Sequence, residues 1–535
     1  MSDHAALTRL AKALVADMEA ERLSGATQRS MSALDAEPEH VFDLVDLLAK
    51  EGRKKRPNDR LMNGYAFLLA HGLEVLRCAV DRDDNVTNAL VARLRQHLIE
   101  IATTGRMPAP VLLLVLHQFT SAKLDVGDEL RNLMQTLMEN DDAARAACER
   151  GEGADHFTRM VEQFGGDPFA VHAYLDQSID AMPMDRRAAL VMATFAEKDP
   201  AIREAAIGFL LNGSVEVRSK LIELIELAVP HGLVSPTMLR RMIAMRNWVP
   251  ANDRDGLDAA IRIARKKPIE CAPSPRPVVQ QILTSGIDGS GAFTILVLAK
   301  EKGKPLIAGL LVKLGFGVRD AWVRRDADPA MLLEMVDHVA SEISLSETSL
   351  DYARIVCCQA LAVNIEAGQP PPFALVDFAE AAGLAELNPR ALPVDKLVAD
   401  LVAEVDAAKL STTAVKETLR RSADWLEEHP TLATWFEDNV TEGIGTGRTP
   451  RAKQIAFLVA GPLQARRHRW AELVAWTALS LKHSDASGDW QGFAIVAREL
   501  LAQRPLEEIG LMKAIAGNTI EVMGLKGLLG TRHAA

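Results

Sequence analysis

Aromatic residues make up only 5% of the 535-residue chain, and tyrosine occurs three times. A large β-domain normally carries Tyr, Phe and Thr in alternating runs, and no sustained period-two stretch bounded by turn residues is found, so the expectation is a chain without sheet. Cysteine is scarce as well. Cys78, Cys148, Cys271 and the adjacent Cys357 and Cys358 are odd in number, and no pair has C-x-x-C spacing. That excludes a zinc ribbon or a disulfide framework and points to a reducing compartment. Long hydrophobic runs are missing: the longest, Pro108 to Leu116, falls far short of the ~20 residues of a membrane span. The stretch Leu7 to Leu23 holds Asp17, Glu19 and Glu21, acids that signal and transit peptides avoid, so the expected compartment is the cytoplasm. An excess of positive charge is absent too. With 61 Lys+Arg against 72 Asp+Glu the net charge is −11, which works against long-range attraction to nucleic acid or anionic lipid unless a local patch overrides it.

What the chain has in quantity is small and aliphatic side chains. Hydrophobic residues reach 48%, mostly Ala, Leu, Val, Ile and Met, which suit thin helix-on-helix seams. The length is too great for one ordinary core, leaving several domains or an array that grows in one direction. Between Asp199 and Lys267 four segments open on a capping residue, at Asp199, Ser214, Ser235 and Asp253, and continue with helical periodicity. The first places Ile202, Ala205, Ala206, Phe209 and Leu210 on one stripe. Alternate starts lie 36 residues (199 to 235) and 39 residues (214 to 253) apart, the period of a two-helix repeat.

The segment Asp199-Pro200-Ala201-Ile202-Arg203-Glu204-Ala205-Ala206 resembles the helix start of HEAT-type repeats, and Val217-Arg218 and Val318-Arg319-Asp320-Ala321 echo it. Asp caps, Pro fits the first turn, and Arg can tie neighbouring units through an acid. The resemblance covers about residues 185–345 and implies an all-α architecture: an α-solenoid of stacked antiparallel helix pairs with flanking helical domains. In this reading Gly289 to His338 continues the short-helix pattern, with helices after Gly289, Lys304, Gly317 and Asp328-Pro329. The expected domains are an N-terminal helical domain (1–165), the HEAT-like repeats (166–369) and a C-terminal helical domain (370–535). The last begins at the Pro370-Pro371-Pro372 run, read as a stiff linker, and holds five of the seven tryptophans.

Motifs that carry chemistry are sparse. Gly443-Ile444-Gly445-Thr446-Gly447-Arg448 and Gly286-Ile287-Asp288-Gly289-Ser290-Gly291 have glycines spaced as in phosphate loops but lack the Gly-Lys-Ser/Thr ending, and an interhelical loop is the plainer reading. Asp81-Arg82-Asp83-Asp84-Asn85 begins like a calcium loop, but Val86 stands at the turn glycine and Ala92 at the bidentate acid, which leaves helix capping. His117 and His338 read as core histidines, and Cys357 and Cys358 point apart on a helix. No local signature of nucleophilic catalysis is present, and neither a metal nor another cofactor is expected.

The cationic clusters supply the candidate contacts. Arg218, Arg240, Arg241, Arg265, Lys266 and Lys267 sit in the repeat region, and Arg466, Arg467, Arg469 and Trp470 join cations to an aromatic. The leading functional reading is a non-catalytic scaffold that binds a protein partner on a concave helical surface, with the Trp-rich domain as a second contact region. A nucleic-acid binder with a basic inner face is the alternative, and an enzyme acting at the loop around Gly443 to Arg448 is the third. The sequence leaves the oligomeric state open.

Overall fold

Local capping chemistry places the first helices where the sequence puts them. In the computed structural model, Asp199 accepts from the Ala201 amide at 2.7 Å and starts the helix Pro200–Ala206, while Ser235 accepts from the Met238 amide at 3.1 Å and starts Pro236–Met245. Val215–Ala228 opens beside Ser214, and Ala251–Lys266 opens two residues ahead of Asp253. The stripe Ile202, Ala205, Ala206, Phe209 and Leu210 is wholly buried. The structure describes residues 3–20, 24–34, 37–80, 85–139, 152–266, 269–325, 329–384, 386–437, 449–485 and 488–532.

The chain folds as two units. One comprises Met1–Leu210 with Ser214–Leu224, the other Leu211–Gly213 with Ile225–Ala535. Among its described residues the first unit is built of helices. His40–Gly52, Asp59–Val80, Asn85–Thr103 and Ala109–Ser121 each bury one apolar stripe, carried by residues such as Leu44, Leu48, Leu69, Leu73, Leu98 and Phe119. Further along, Asp167 caps Pro168–Asp180, which delivers His172 into a closed site. Its imidazole meets the Phe209 ring edge-on at 5.0 Å, and a Cβ at Gly208 would lie 2.5 Å from Nδ1. Glycine at 208 is therefore what admits the ring.

Burial pushes the His172 pKa down to about 4, against the opposing pull of the Ala205 backbone and Asp180. The folded state keeps the ring neutral while the unfolded chain titrates near its ordinary value of 6.5. Its share of the stability is complete above that value and is lost as pH falls toward 4, about 3 kcal/mol in all. Accordingly the destabilisation caused by His172→Gln, followed by denaturant melts, shrinks from pH 7 to pH 4.5. An equal loss at both pH values contradicts this.

The second unit overturns the all-α solenoid. It contains a five-stranded antiparallel sheet in the order β4-β3-β2-β1-β5, formed by Val278–Ser285 (β1), Ala292–Glu301 (β2), Lys304–Lys313 (β3), Gly317–Arg325 (β4) and Leu345–Glu347 (β5). The helices expected after Gly289, Lys304 and Gly317 are thus β2, β3 and β4, and Val318-Arg319-Asp320-Ala321 lies in a strand. The helix after Asp328-Pro329 is present as Pro329–Glu342.

The physical reason lies in burial. From Ile295 to Val297 and from Leu306 to Leu310 every residue is buried, so both faces of these central strands are covered and their sequences lack polar alternation. Runs such as Thr-Ile-Leu-Val-Leu-Ala and Leu-Ile-Ala-Gly-Leu-Leu are then indistinguishable by period from a buried helix. The deciding signal is the turn. Lys302 and Gly303 have φ of 51° and 82° and close a two-residue hairpin between Glu301 and Lys304, as expected where both central residues need positive φ.

Helices Leu350–Glu366 and Ala374–Ala381 cover β3 and β4. The Pro370–Pro372 run joins these two neighbours and lies inside the unit. Asn364 fixes the first helix by accepting from the Val318 amide at 2.8 Å, and Arg325 clamps the second through Asp377. Although burial opposes it, the carboxylates of Asp377 and Glu301 raise the Arg325 pKa. Beyond the sheet, Trp425, Trp435, Trp470 and Trp476 are core residues, with Trp425 stacked on Phe493 at 3.8 Å.

Within the sheet Gly309 faces Trp322 across the β3–β4 ladder, and a Cβ there would come 2.4 Å from the indole. Gly309→Ala is expected to destabilise the protein by about 1–3 kcal/mol, read from chemical denaturation. Gly303→Ala, strained by φ but free of contacts, serves as comparison, and a loss at Gly309 no larger than at Gly303 removes the steric account.

Candidate functional site

The cations singled out by sequence are mostly spoken for. Arg218, in the first unit, is buried. In the second unit Arg240 and Arg241 share Glu380: Arg240 approaches it at 2.7 Å and also donates to the Pro273 carbonyl, while Arg241 reaches it at 3.2 Å through Nε. Arg265 lines a cavity of about 350 Å³ with Arg240, Lys266 is exposed, and Lys267 lies outside the described residues. Arg466 and the Trp470 indole both donate to the buried Glu437 carboxylate, at 2.6 and 2.8 Å. Arg467 is buried and donates to the Leu500 and Arg504 carbonyls, closing the end of the Trp490–Leu501 helix. Arg469 pairs with Glu472 and donates to the Ser290 carbonyl at 2.7 Å. Apart from the exposed Arg265 and Lys266, each of these cations that the structure describes is buried or engaged within its unit.

The other motifs are placed as plainly. Gly286–Gly291 connects β1 to β2, with Asp288 accepting from Ala292 and Ser290. Gly443–Arg448 and Asp81–Asp84 lie outside the described residues, as does the His338 side chain. His117 is half-buried, which lowers its pKa, and Cys357 is fully buried, which raises its thiol pKa. Among the described residues no three His, Cys, Asp or Glu side chains converge as metal ligands, and no helix is long and apolar enough to cross a membrane.

A different constellation lines a cavity of about 320 Å³ in the second unit. Ser349 caps Leu350–Glu366 by accepting from the Tyr352 amide at 3.1 Å, which orients Arg354, Ile355 and Cys358 toward the cavity. The following loop is pinned to the same helix. The Arg390 amide donates to the Cys358 carbonyl at 2.9 Å and the Leu392 amide to Gln359 Oε1 at 2.5 Å, so Arg390 and Leu392 stand opposite. Val394–Ala403 adds Leu397 and Leu401 with Asp400 and Glu404 at the edge, and the end of Arg467–Lys482 adds Leu479, Lys482 and His483.

The charges of this cavity are unevenly matched. Lys482 binds Glu404 at 2.6 Å and Asp400 binds Lys396 at 3.0 Å, whereas Arg354 and Arg390 have no carboxylate partner among the described residues. His483 Nδ1 lies 3.0 Å from Ser349 Oγ, and its ring packs against Tyr352 at 5.9 Å. Burial, and next to it the Lys482 charge, lowers the His483 pKa, so the ring is neutral near pH 7. The arrangement presents two guanidinium groups over a floor of Ile355, Leu392, Leu397, Leu401 and Leu479. Arg354 and Arg390 have no basic neighbour in sequence and lie 36 positions apart, so only the loop-to-helix hydrogen bonds unite them.

Residues 395–524 match the family described as Y4lR C-terminal helical domain, and residues 183–268 match the Y4lR second domain. The chain is similar to the uncharacterized protein y4lR of Sinorhizobium fredii (strain NBRC 101917 / NGR234), 24% identical over 373 residues that span 68% of this chain and 70% of that protein. No solved structure matches. Leu397, Leu401, Leu479, Lys482 and His483 fall inside the first matched segment, and both free arginines fall before it.

The Glu380 cluster yields a test of its own. Replacing this acid removes the carboxylate that two adjacent, largely buried guanidinium groups share. Glu380→Gln is expected to lower stability by about 3 kcal/mol in urea melts, because breaking a buried ion pair strands its partner. A loss below about 0.5 kcal/mol, the level of a surface pair, contradicts the arrangement.

Proposed function

We propose that the second unit binds a small amphipathic anion: a carboxylate or phosphate head held by Arg354 and Arg390, with a hydrocarbon portion on the leucine-rich floor. The observation that carries this is the pairing of two guanidinium groups that have no carboxylate partner among the described residues with five aliphatic side chains around one cavity. A volume of about 320 Å³ lies in the range of small-molecule sites, which are mainly apolar with a few converging polar groups. Guanidinium forks suit the planar or tetrahedral oxygens of such heads. Neutral His483 and the Lys482–Glu404 pair border the site and add no unpaired negative charge.

The protein-binding scaffold expected from sequence rested on an unbroken helical stack and on accessible tryptophans. A sheet interrupts the first, and four of the five C-terminal tryptophans are in the core. The nucleic-acid alternative needs open cations, and Arg240, Arg241, Arg466, Arg467 and Arg469 are engaged within the unit.

The test is calorimetric titration of the full chain with octanoate and octyl phosphate, set beside acetate (head alone) and octanol (tail alone). Binding of an eight-carbon anion is expected to exceed that of either control by more than tenfold. The double substitution Arg354→Ala with Arg390→Ala is expected to weaken it by about 2 kcal/mol or more, the worth of hydrogen bonds to a charged group. No saturable binding of either anion, or equal binding by the substituted protein, overturns the proposal.

A further inference from the structure

A second cavity in the same unit, about 150 Å³, differs from the first in having no charged residue in its wall. It lies between the end of β1, the segment around β5, the turn Pro430–Thr434 and the last turns of Arg467–Lys482. Eight of its fourteen lining residues are serine or threonine. For a wall built of neutral hydroxyls, each at once donor and acceptor, the matching ligand is itself neutral and rich in hydroxyls.

The state of those hydroxyls separates wall from site. Some serve the backbone: Thr284 donates to the Ser285 carbonyl, Ser285 to Gly286, and Thr477 to Leu473. Others keep their side chains open: Ser346, Thr431 and Ser480 make no side-chain hydrogen bond to another described residue of good geometry, and neither does the His429 imidazole. His429 packs edge-on against Phe493 at 5.4 Å, and burial lowers its pKa, so the neutral ring offers one donor and one acceptor. Behind this wall the fully buried Tyr352 hydroxyl faces Thr284 and Ser480 and makes no well-formed hydrogen bond. A buried hydroxyl without a partner is costly, and native structures rarely keep one without a reason.

The position of the turn is also fixed by close packing. Gly286 lies so close to Thr431 that an added Cβ would come 2.3 Å from its Oγ1, which sets the turn directly over the end of β1. Ile287, Pro430, Leu432 and Leu481 supply an apolar patch beside the hydroxyls. Sugars and polyols have this same division, with C–H groups on one side and hydroxyls around the edge.

We infer that this cavity is a binding site for a small neutral polyol or sugar, its hydroxyls met by Ser480, Thr431, His429 and Ser346 with Tyr352 behind them. The site is separate from the proposed anion site, and its ligand carries no charge.

The test is saturation-transfer NMR followed by titration of the full chain with glycerol, erythritol, ribose, glucose and inositol. At least one is expected to bind saturably, and octanoate does not displace it. Ser480→Ala and Tyr352→Phe each remove one hydroxyl and are expected to weaken binding about tenfold. Octanoate titration, together with the circular dichroism spectrum, reports that the unit is still folded. Should Tyr352→Phe fail to fold, Ser480→Ala carries the comparison alone. Absence of saturable binding across the panel overturns the inference, as does binding that both substitutions leave unchanged. A result in which only anionic sugars bind also overturns it.

Discussion

The second unit depends on one constraint: the hairpin of β2 and β3 must be covered on both faces. Residues 295–297 and 306–310 offer water no polar side. A sheet of this kind is stable only with a layer on each face, and antiparallel sheets more often leave one face wet. Coverage explains why Leu350–Glu366 and Ala374–Ala381 lie against β3 and β4 and why an asparagine and an arginine are spent on fastening them. The fastening has a further effect. Once Leu350–Glu366 is fixed by Asn364 near its C-terminus, its N-terminal half presents Arg354, Ile355 and Cys358 to the cavity.

That same constraint hid the sheet from a reading of the sequence. Period-two alternation reports a difference between two faces, and β2 and β3 have no such difference. The low aromatic content pointed the same way, since the interior is filled by Leu, Ile, Val and Ala instead. The helices of residues 199–267 were legible because capping is a local matter: Asp199 and Ser235 need only their own next two or three amides. The Glu301-Lys302-Gly303-Lys304 turn was equally local, and weighting it above the apolar run would have found the hairpin.

Charge was misleading in a related way. Runs of basic residues drew attention to Arg240-Arg241 and Arg466-Arg467, yet the first pair converges on one buried acid, Glu380, and Arg466 shares the buried Glu437 with the Trp470 indole one turn on. Such clusters hold the core together, because a buried guanidinium demands a partner and the fold supplies it. A cation reserved for a ligand has the opposite requirement, which is to lack a partner inside the chain. Among the described residues Arg354 and Arg390 have no carboxylate partner, and each stands alone in sequence.

The two cavities show how one helix can serve different chemistries. Along Arg467–Lys482 and its cap, Thr477, Ser480, Leu481 and Ser484 recur at three- and four-residue steps and face one cavity, while Leu479, Lys482 and His483 form the next stripe and face the other. A rotation of about 100° per residue separates hydroxyls from charge without any change of backbone. The inner side of the helix, from Trp470 through Val474 and Ala478, is buried, so the register of both stripes is set by packing. Tyr352 stands where they meet, its ring on His483 and its hydroxyl toward Ser480. Shifting this helix by two residues, a turn of about 200°, would exchange the stripes and ruin both walls at once, so the buried tryptophan and alanine face acts as the alignment device for the polar groups of both cavities.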